Sequence, residues 1–277
     1  MPRKRTEIYH CINISLLNSK DNEASVYSDI IYKLRELEAV KVYGNDCIKI
    51  RTVSPIKIKE KDFLRGKITK YTKLESEQWF DEDKNEGTTV NVPDGVHPNM
   101  IETDYYFWPE KHKLYIKRNN ESGSPTFNQV ARYLEIIIAK AFKGDYNITI
   151  VQSKDSIELI IDAKEIYTLD FELSYTNSDT DSEAEEMMDG YYKSANITEI
   201  KSTLRSTSDN KINGESDFIV GNLRLARKTG NAKARVESKD GTKMKVNTKN
   251  HPAIGKAKET DDEPFLTTLY NIFINLI

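Results

Sequence analysis

Residues 233–252, KARVESKDGTKMKVNTKNHP, read as two short strands around an Asp240-Gly241 turn, running into a histidine and a proline. Alternation in VESKDGTKMKVN is the period-two mark of strands, and Asp-Gly is a hairpin turn pair. A hairpin requires antiparallel pairing. Set among the interleaved strands and helices upstream, it argues for an α+β fold, a mixed, largely antiparallel sheet with helices packed mainly on one face. The same alternation puts Lys243, Lys245 and Asn247 on one side of the second strand. Lysines spread along a ribbon can neutralise several phosphates at once. Edge strands also carry lysine to block aggregation, so solvation explains the pattern too.

The hairpin belongs to a basic pole. Between Arg224 and Lys258 there are eleven Lys or Arg against two acids, whereas Asp170 to Asp189 holds eight acids and no Lys or Arg. The net charge of -3 hides this polarity, which bears on partners rather than on fold. Candidate phosphate contacts are Arg224, Arg227 and Lys228 at a helix end, with Lys233, Arg235, Lys243, Lys245 and Lys249 from the hairpin. The acidic stretch DTDSEAEEMMD could offer carboxylates to a metal. Ser182 with Glu185 instead fits a capping box, and acids suit a first helical turn, so no metal and no cofactor is expected.

Upstream, EIYHCINISLL reads as a buried strand. Asn22 or Ser25 can cap a helix whose stripe is Val26, Ile30, Leu34, Leu37 and Val40, stopped by Gly44. CIKIRTV and FLRGKITKYTK follow as strands separated by Pro55. Residues 74–100 form a long irregular loop, with Trp79 and Phe80 pinning it to the core. YYFWPEKHKLYIKR is a hairpin. Ser124 as N-cap, Pro125 at the first helical position and Gly144 past the end bracket a helix. Short strands and helices then alternate up to the opening hairpin. The expected division is 1–123, an N-terminal α+β unit; 124–263, a C-terminal α+β unit with the basic hairpin; and 264–277, an apolar tail, with both units able to share one domain.

With 277 residues, 38% of them hydrophobic and 31% charged, the chain can bury a core and is not in the disordered class. No apolar run approaches the roughly 20 residues of a membrane span. MPRKRTEIYH lacks the apolar stretch of a secretory signal, and Cys11 and Cys47 are too few for a disulfide framework. A cytoplasmic protein is expected. Phosphate-loop, dinucleotide, His-Glu-x-x-His and Gly-x-Ser-x-Gly signatures are absent, and GNLRLARKTG lacks phosphate-loop spacing. An ATPase, dehydrogenase or classical hydrolase is therefore disfavoured. Of the histidines, His10 sits in a strand and His97 in the long loop. His112 and His251 lie among lysines and are candidates for a metal-independent nuclease, which needs an acid and a base near neutral pH.

Four segments in order, QWFDEDK, VNVPDGVHPNM, YYFWPEKHKLYIK and VNTKNHP, resemble an uncharacterised bacterial family catalogued as domain of unknown function 4747. Its Trp-Phe pair corresponds to Trp79 and Phe80, its Pro-Asn element to Pro98 and Asn99, and its aromatic-Pro-x-x-His to Trp108 through His112. Its late Thr-Lys-Asp-His-Pro falls on Thr248 to Pro252, with Asn250 replacing the acid, which weakens any Asp-His pair there. The resemblance covers Leu64 to Pro252. It implies a cytosolic bacterial protein linked to defence against phage or other mobile DNA, with a partner protein in a defence operon, and supplies no established activity.

Three functions follow as expectations: a DNA- or RNA-binding protein of such a system, a nuclease using His112 or His251, or an assembly subunit binding a protein partner. The tail FLTTLYNIFINLI, with Leu266, Leu269, Phe273 and Leu276 on one stripe, should dock on its own core or on another subunit. A homo-oligomer, most simply a twofold dimer, is expected from it.

Overall fold

The computed structural model describes residues 6–16, 23–74, 78–174, 182–259 and 263–276. In chain order the elements are β1 (Thr6–Leu16), α1 (Ala24–Glu36), β2 (Val40–Tyr43), β3 (Asp46–Ile58), β4 (Lys61–Thr72), β5 (Gln78–Asp81) and β6 (Glu86–Thr89). They continue with β7 (Ile101–Trp108), β8 (Lys113–Arg118), α2 (Phe127–Ala141), β9 (Tyr146–Ile150), α3 (Lys154–Ile161), β10 (Glu165–Ser174) and α4 (Glu183–Ser194). Last come β11 (Glu199–Arg205), α5 (Asp217–Thr229), β12 (Gly230–Glu237), β13 (Lys243–Asn247), β14 (Ile254–Lys258) and α6 (Phe265–Leu276). The fold is α+β.

The first sheet runs β14-β1-β8-β7-β4-β3-β2 with every neighbour antiparallel. Along one edge of β1, β14 pairs with Thr6 to His10 and β9 with Ile12 to Leu16, so two strands share that edge end to end. Alternation on β1 divides its side chains between two cores. Ile12, Ile14 and Leu16 meet α1 and α2, while Tyr9 and Cys11 face α6. The second sheet, β11-β10-β12-β13, packs one face on α3, α4 and α5 through Leu169, Phe171, Ala232, Ala234 and Val236. Its other face is open, and that asymmetry creates the candidate site.

Local punctuation differs from the sequence expectation in several places. β3 runs straight through Pro55, because that half of the strand pairs only with β4 and the missing N–H falls on an unpaired edge. The helical stripe ends at Glu36, and Val40 begins β2. Glu23 occupies the N-cap of α1 without a side-chain cap, Ser25 lies inside the helix, and Asn22 is outside the described residues. α2 starts two residues later than its Ser-Pro signal. Thr126 and Gln129 form a reciprocal capping box that satisfies two orphan donors, whereas Ser124 Oγ donates to Glu121 O of the preceding turn. The 74–100 stretch holds the β5–β6 hairpin, and Phe80, 66% exposed, does not pin it to the core. No break between cores falls at Gly123: α2 and β9 pack in the same cluster as α1, and β14 and α6 return to the first sheet.

The apolar tail docks on its own chain. As α6 it buries Leu269, Phe273 and Leu276, and the Phe273 ring stacks on Tyr115 at 4.0 Å. Tyr115 Oη donates to the Phe273 carbonyl at 3.1 Å. The approach is close enough that a Cβ on Gly255 would lie 2.3 Å from Ile272 Cγ2. Three such side chains stabilise the docking by roughly 5–9 kcal/mol as an upper estimate. No helix among the described residues is long and apolar enough to cross a membrane.

Candidate nucleic-acid interface

The basic hairpin forms as the sequence predicts. Gly241 takes a left-handed φ of +87°, and Asp240 Oδ1 accepts the Thr242 N–H at 2.9 Å. Hydrogen bonds from Ser238 and Thr242 hold the Asp240 carboxyl below its usual range. Beyond the turn, alternation buries Ala234, Val236 and Val246 and leaves Lys233, Arg235, Lys243 and Lys245 exposed.

Register across the sheet decides which charges meet. Arg205 of β11 stands opposite Thr168 of β10, Thr168 opposite Arg235 of β12, and Arg235 opposite Lys245 of β13. One cationic row thus crosses all four strands, about 14 Å at the usual strand spacing. The next row toward the C-terminal end of β10 is Thr203, Asp170, Lys233 and Asn247, and the following one begins Lys201, Glu172, Asn231.

Most acids on this face already hold a cation. Glu237 accepts from Tyr167 Oη at 2.6 Å and Lys164 Nζ at 3.0 Å, with Lys243 Nζ at 3.8 Å. Those hydrogen bonds, Tyr167's foremost, hold its carboxyl below the ordinary range and push the Tyr167 phenol up. The Tyr167 ring also lies under Lys211 at 5.0 Å and Lys243 at 5.4 Å. Glu172 accepts from Asn231 at 3.1 Å, is 3.9 Å from Lys249, and is lowered chiefly by the Asn231 bond. Glu199 pairs with Lys201 at 2.9 Å and Glu165 with Lys211 at 3.4 Å. Among the described residues, Arg205, Arg235 and Lys245 have no ion pair.

The cations expected from the end of α5 are elsewhere. Arg227 is buried, with Nη2 3.5 Å from the Leu276 carbonyl. Lys228 Nζ lies 3.4 Å from Glu185 Oε1, both side chains at most 3% exposed. The last turn of α5 is walled in by α4, α6 and the residues after β9, so these two groups tie elements together. A basic helix end has the same sequence signature whether it is solvated or enclosed. Arg224 is half-exposed beside Glu158 at 4.0 Å. Ser182 caps α4 by accepting the Glu185 N–H at 3.3 Å, as its spacing predicts, while Asp179 and Asp181 lie outside the described residues.

The two candidate catalytic histidines are not brought together. His112 is buried at the β7–β8 turn with φ +57°, its ring stacked on Tyr27 at 3.8 Å. His251 is exposed on the link from β13 to β14, its carbonyl accepting the Ser153 N–H at 2.7 Å. His10 stacks on Phe127 at 4.3 Å, and burial lowers its pKa; His97 stacks on Tyr71. No cluster of three or more His, Cys, Asp or Glu that could hold a metal occurs among the described residues.

Where the end of the second sheet meets β9 and α2 there is a cleft of about 370 Å³, lined by Asn147, Gln152, Glu172, Leu173, Lys201, Asn231 and Lys249 among others. Sequence reasoning missed this cleft and missed Arg205 and Lys201. The only signal was alternation in EIKSTLR, which places both on one face of β11 but says nothing of what lies beside it.

A family model described as a domain of unknown function (DUF4747) matches residues 5–276. The chain belongs to this family. The DUF4747 match takes in all of β1 and α6 as well as the Leu64 to Pro252 stretch, so the docked tail is part of the family's unit rather than an appendage to it. No curated protein matches the chain.

Proposed function

We propose that the protein binds single-stranded nucleic acid, DNA or RNA, across the open face of β11-β10-β12-β13. The observation that carries this reading is the Arg205, Arg235, Lys245 row, three exposed cations without ion pairs, two of them directly opposite each other. Like charges in register cost stability, and backbone phosphates relieve that repulsion. Thr168 within this row, and Thr203 and Asn247 in the row beside it, can hydrogen-bond sugars and bases. The surface is a sheet face rather than a projecting helix or ribbon of the kind that enters a major groove, which favours a single strand.

Binding without cleavage is the reading the geometry favours. Acid–base cleavage needs two groups near the scissile phosphate, and His112 is enclosed behind Tyr27 in the first sheet. Docking of α6 on Tyr115 also removes the reason for expecting the tail to join two subunits.

The test is fluorescence anisotropy with short labelled single strands of DNA and RNA between about 50 and 200 mM salt. Saturable binding that weakens steeply with salt is expected. Absence of binding to both at low salt, or an affinity indifferent to salt, refutes the proposal.

A further inference from the structure

The cleft beside the basic face has an unusual donor–acceptor balance. Asn147 Nδ2 donates to Thr149 Oγ1 at 2.9 Å and points at the Thr229 carbonyl at 3.4 Å. Asn231 Nδ2 donates to Glu172 Oε2 at 3.1 Å, and Gln152 Nε2 donates to the Ile150 carbonyl. Carbonyl and carboxylate oxygens only accept, which fixes which end of each amide is the NH2 group. Asn147 thus spends both N–H groups on the protein and Asn231 and Gln152 one each, while none of the three amide oxygens accepts from a protein group. Gln152 is 97% buried by its 3% exposure, and its Oε1 has no hydrogen-bond partner. A buried acceptor left unmade is costly.

Three amide side chains lining a cleft of this size, their oxygens without protein donors, suit a small, donor-rich, planar group. Ile148 and Leu173 give it apolar walls. The cleft opens at Glu172, Lys201 and Lys249, which also belong to the sheet face, and Glu172 lies four residues along β10 from the cationic row, about 14 Å. We propose that the cleft holds one unpaired base of the bound strand, with guanine favoured because its N1–H and N2-amino groups present adjacent donors where uracil presents one. This rests on the sheet-face reading and adds base selectivity to it.

The experiment uses the full chain and two labelled oligonucleotides, all uridine and the same sequence with one central guanosine. The guanosine strand should bind about tenfold tighter, the discrimination of a good base contact. Asn147→Ala with Gln152→Met should bring the ratio to about one by lowering the guanosine-strand affinity to that of the all-uridine strand. Asn147→Ala alone, at a half-buried position, should reduce the ratio and guards against misfolding of the double variant. Equal wild-type affinities, or a ratio that survives both substitutions, overturns the base site and leaves the sheet face standing. If neither strand binds, the sheet-face reading fails instead, and titration with free guanosine and uridine monophosphates decides the cleft: saturation by the first alone supports it, and binding of neither or both overturns it.

Discussion

Neutralising the cationic row should remove a definable share of affinity. The variant is Arg205→Gln with Arg235→Gln and Lys245→Gln, three exposed positions in one register across β11, β12 and β13. On single strands, each phosphate contact contributes about 0.7 to the slope of log affinity against log salt. Three contacts make the wild-type slope steeper by about 2. At about 0.1 M salt the same counterion term is worth about 0.7 log units per contact, so the variant should bind roughly 100-fold more weakly. Lys243→Gln is the matched control, because its ammonium already sits near Glu237 and over Tyr167, and it should change the slope far less. Folding should not suffer. Arg235 and Lys245 stand directly opposite, so removing their repulsion should leave stability unchanged or raise it by about 0.2–1 kcal/mol. Anisotropy across a salt series reads the slope, and a urea melt reads the stability. A folded triple variant with unchanged slope would place the anion site elsewhere.

Phe273→Ala should destabilise the protein by about 3–5 kcal/mol in chemical denaturation, since the ring is fully buried against Tyr115; a loss under about 1 kcal/mol would mean that α6 is not held as described. Lys228→Met should cost about 3–5 kcal/mol by removing the cation beside the buried Glu185 carboxylate, and adding Glu185→Met should recover much of it. A double variant as unstable as the single would refute the pairing. Glu237 and Glu172 are held below the ordinary carboxylate range, so their contribution is fully present above that range and is lost as pH falls through it toward the lowered folded values. Thermal melts should accordingly be flat from neutral pH to about 5 and fall below about 4, with Tyr167→Phe weakening that acid dependence by removing the first of the bonds on Glu237.

What the sequence determined by itself was local. Alternation over residues 233–247, the Asp240-Gly241 turn, the hairpin around Pro109 to His112 and the helix ending near Lys228 depend on residues two to four positions apart, and all appear where expected. The amphipathic tail was legible too, but its destination was not, because an apolar stripe does not say which apolar surface will cover it. Contacts between distant segments decided the rest. β11 reaches its place beside β10 across more than twenty residues, and only that register aligns Arg205 with Arg235 and Lys245. Likewise Arg227 and Lys228 read as free cations until α4 and α6 close over them. The amide side chains that line the cleft come from β9, β12 and the segment after β9, and become a set only when the two sheets meet. Periodicity encodes which face of an element is apolar; which charges share the other face depends on strand pairing, and that is set by the packing of the whole chain.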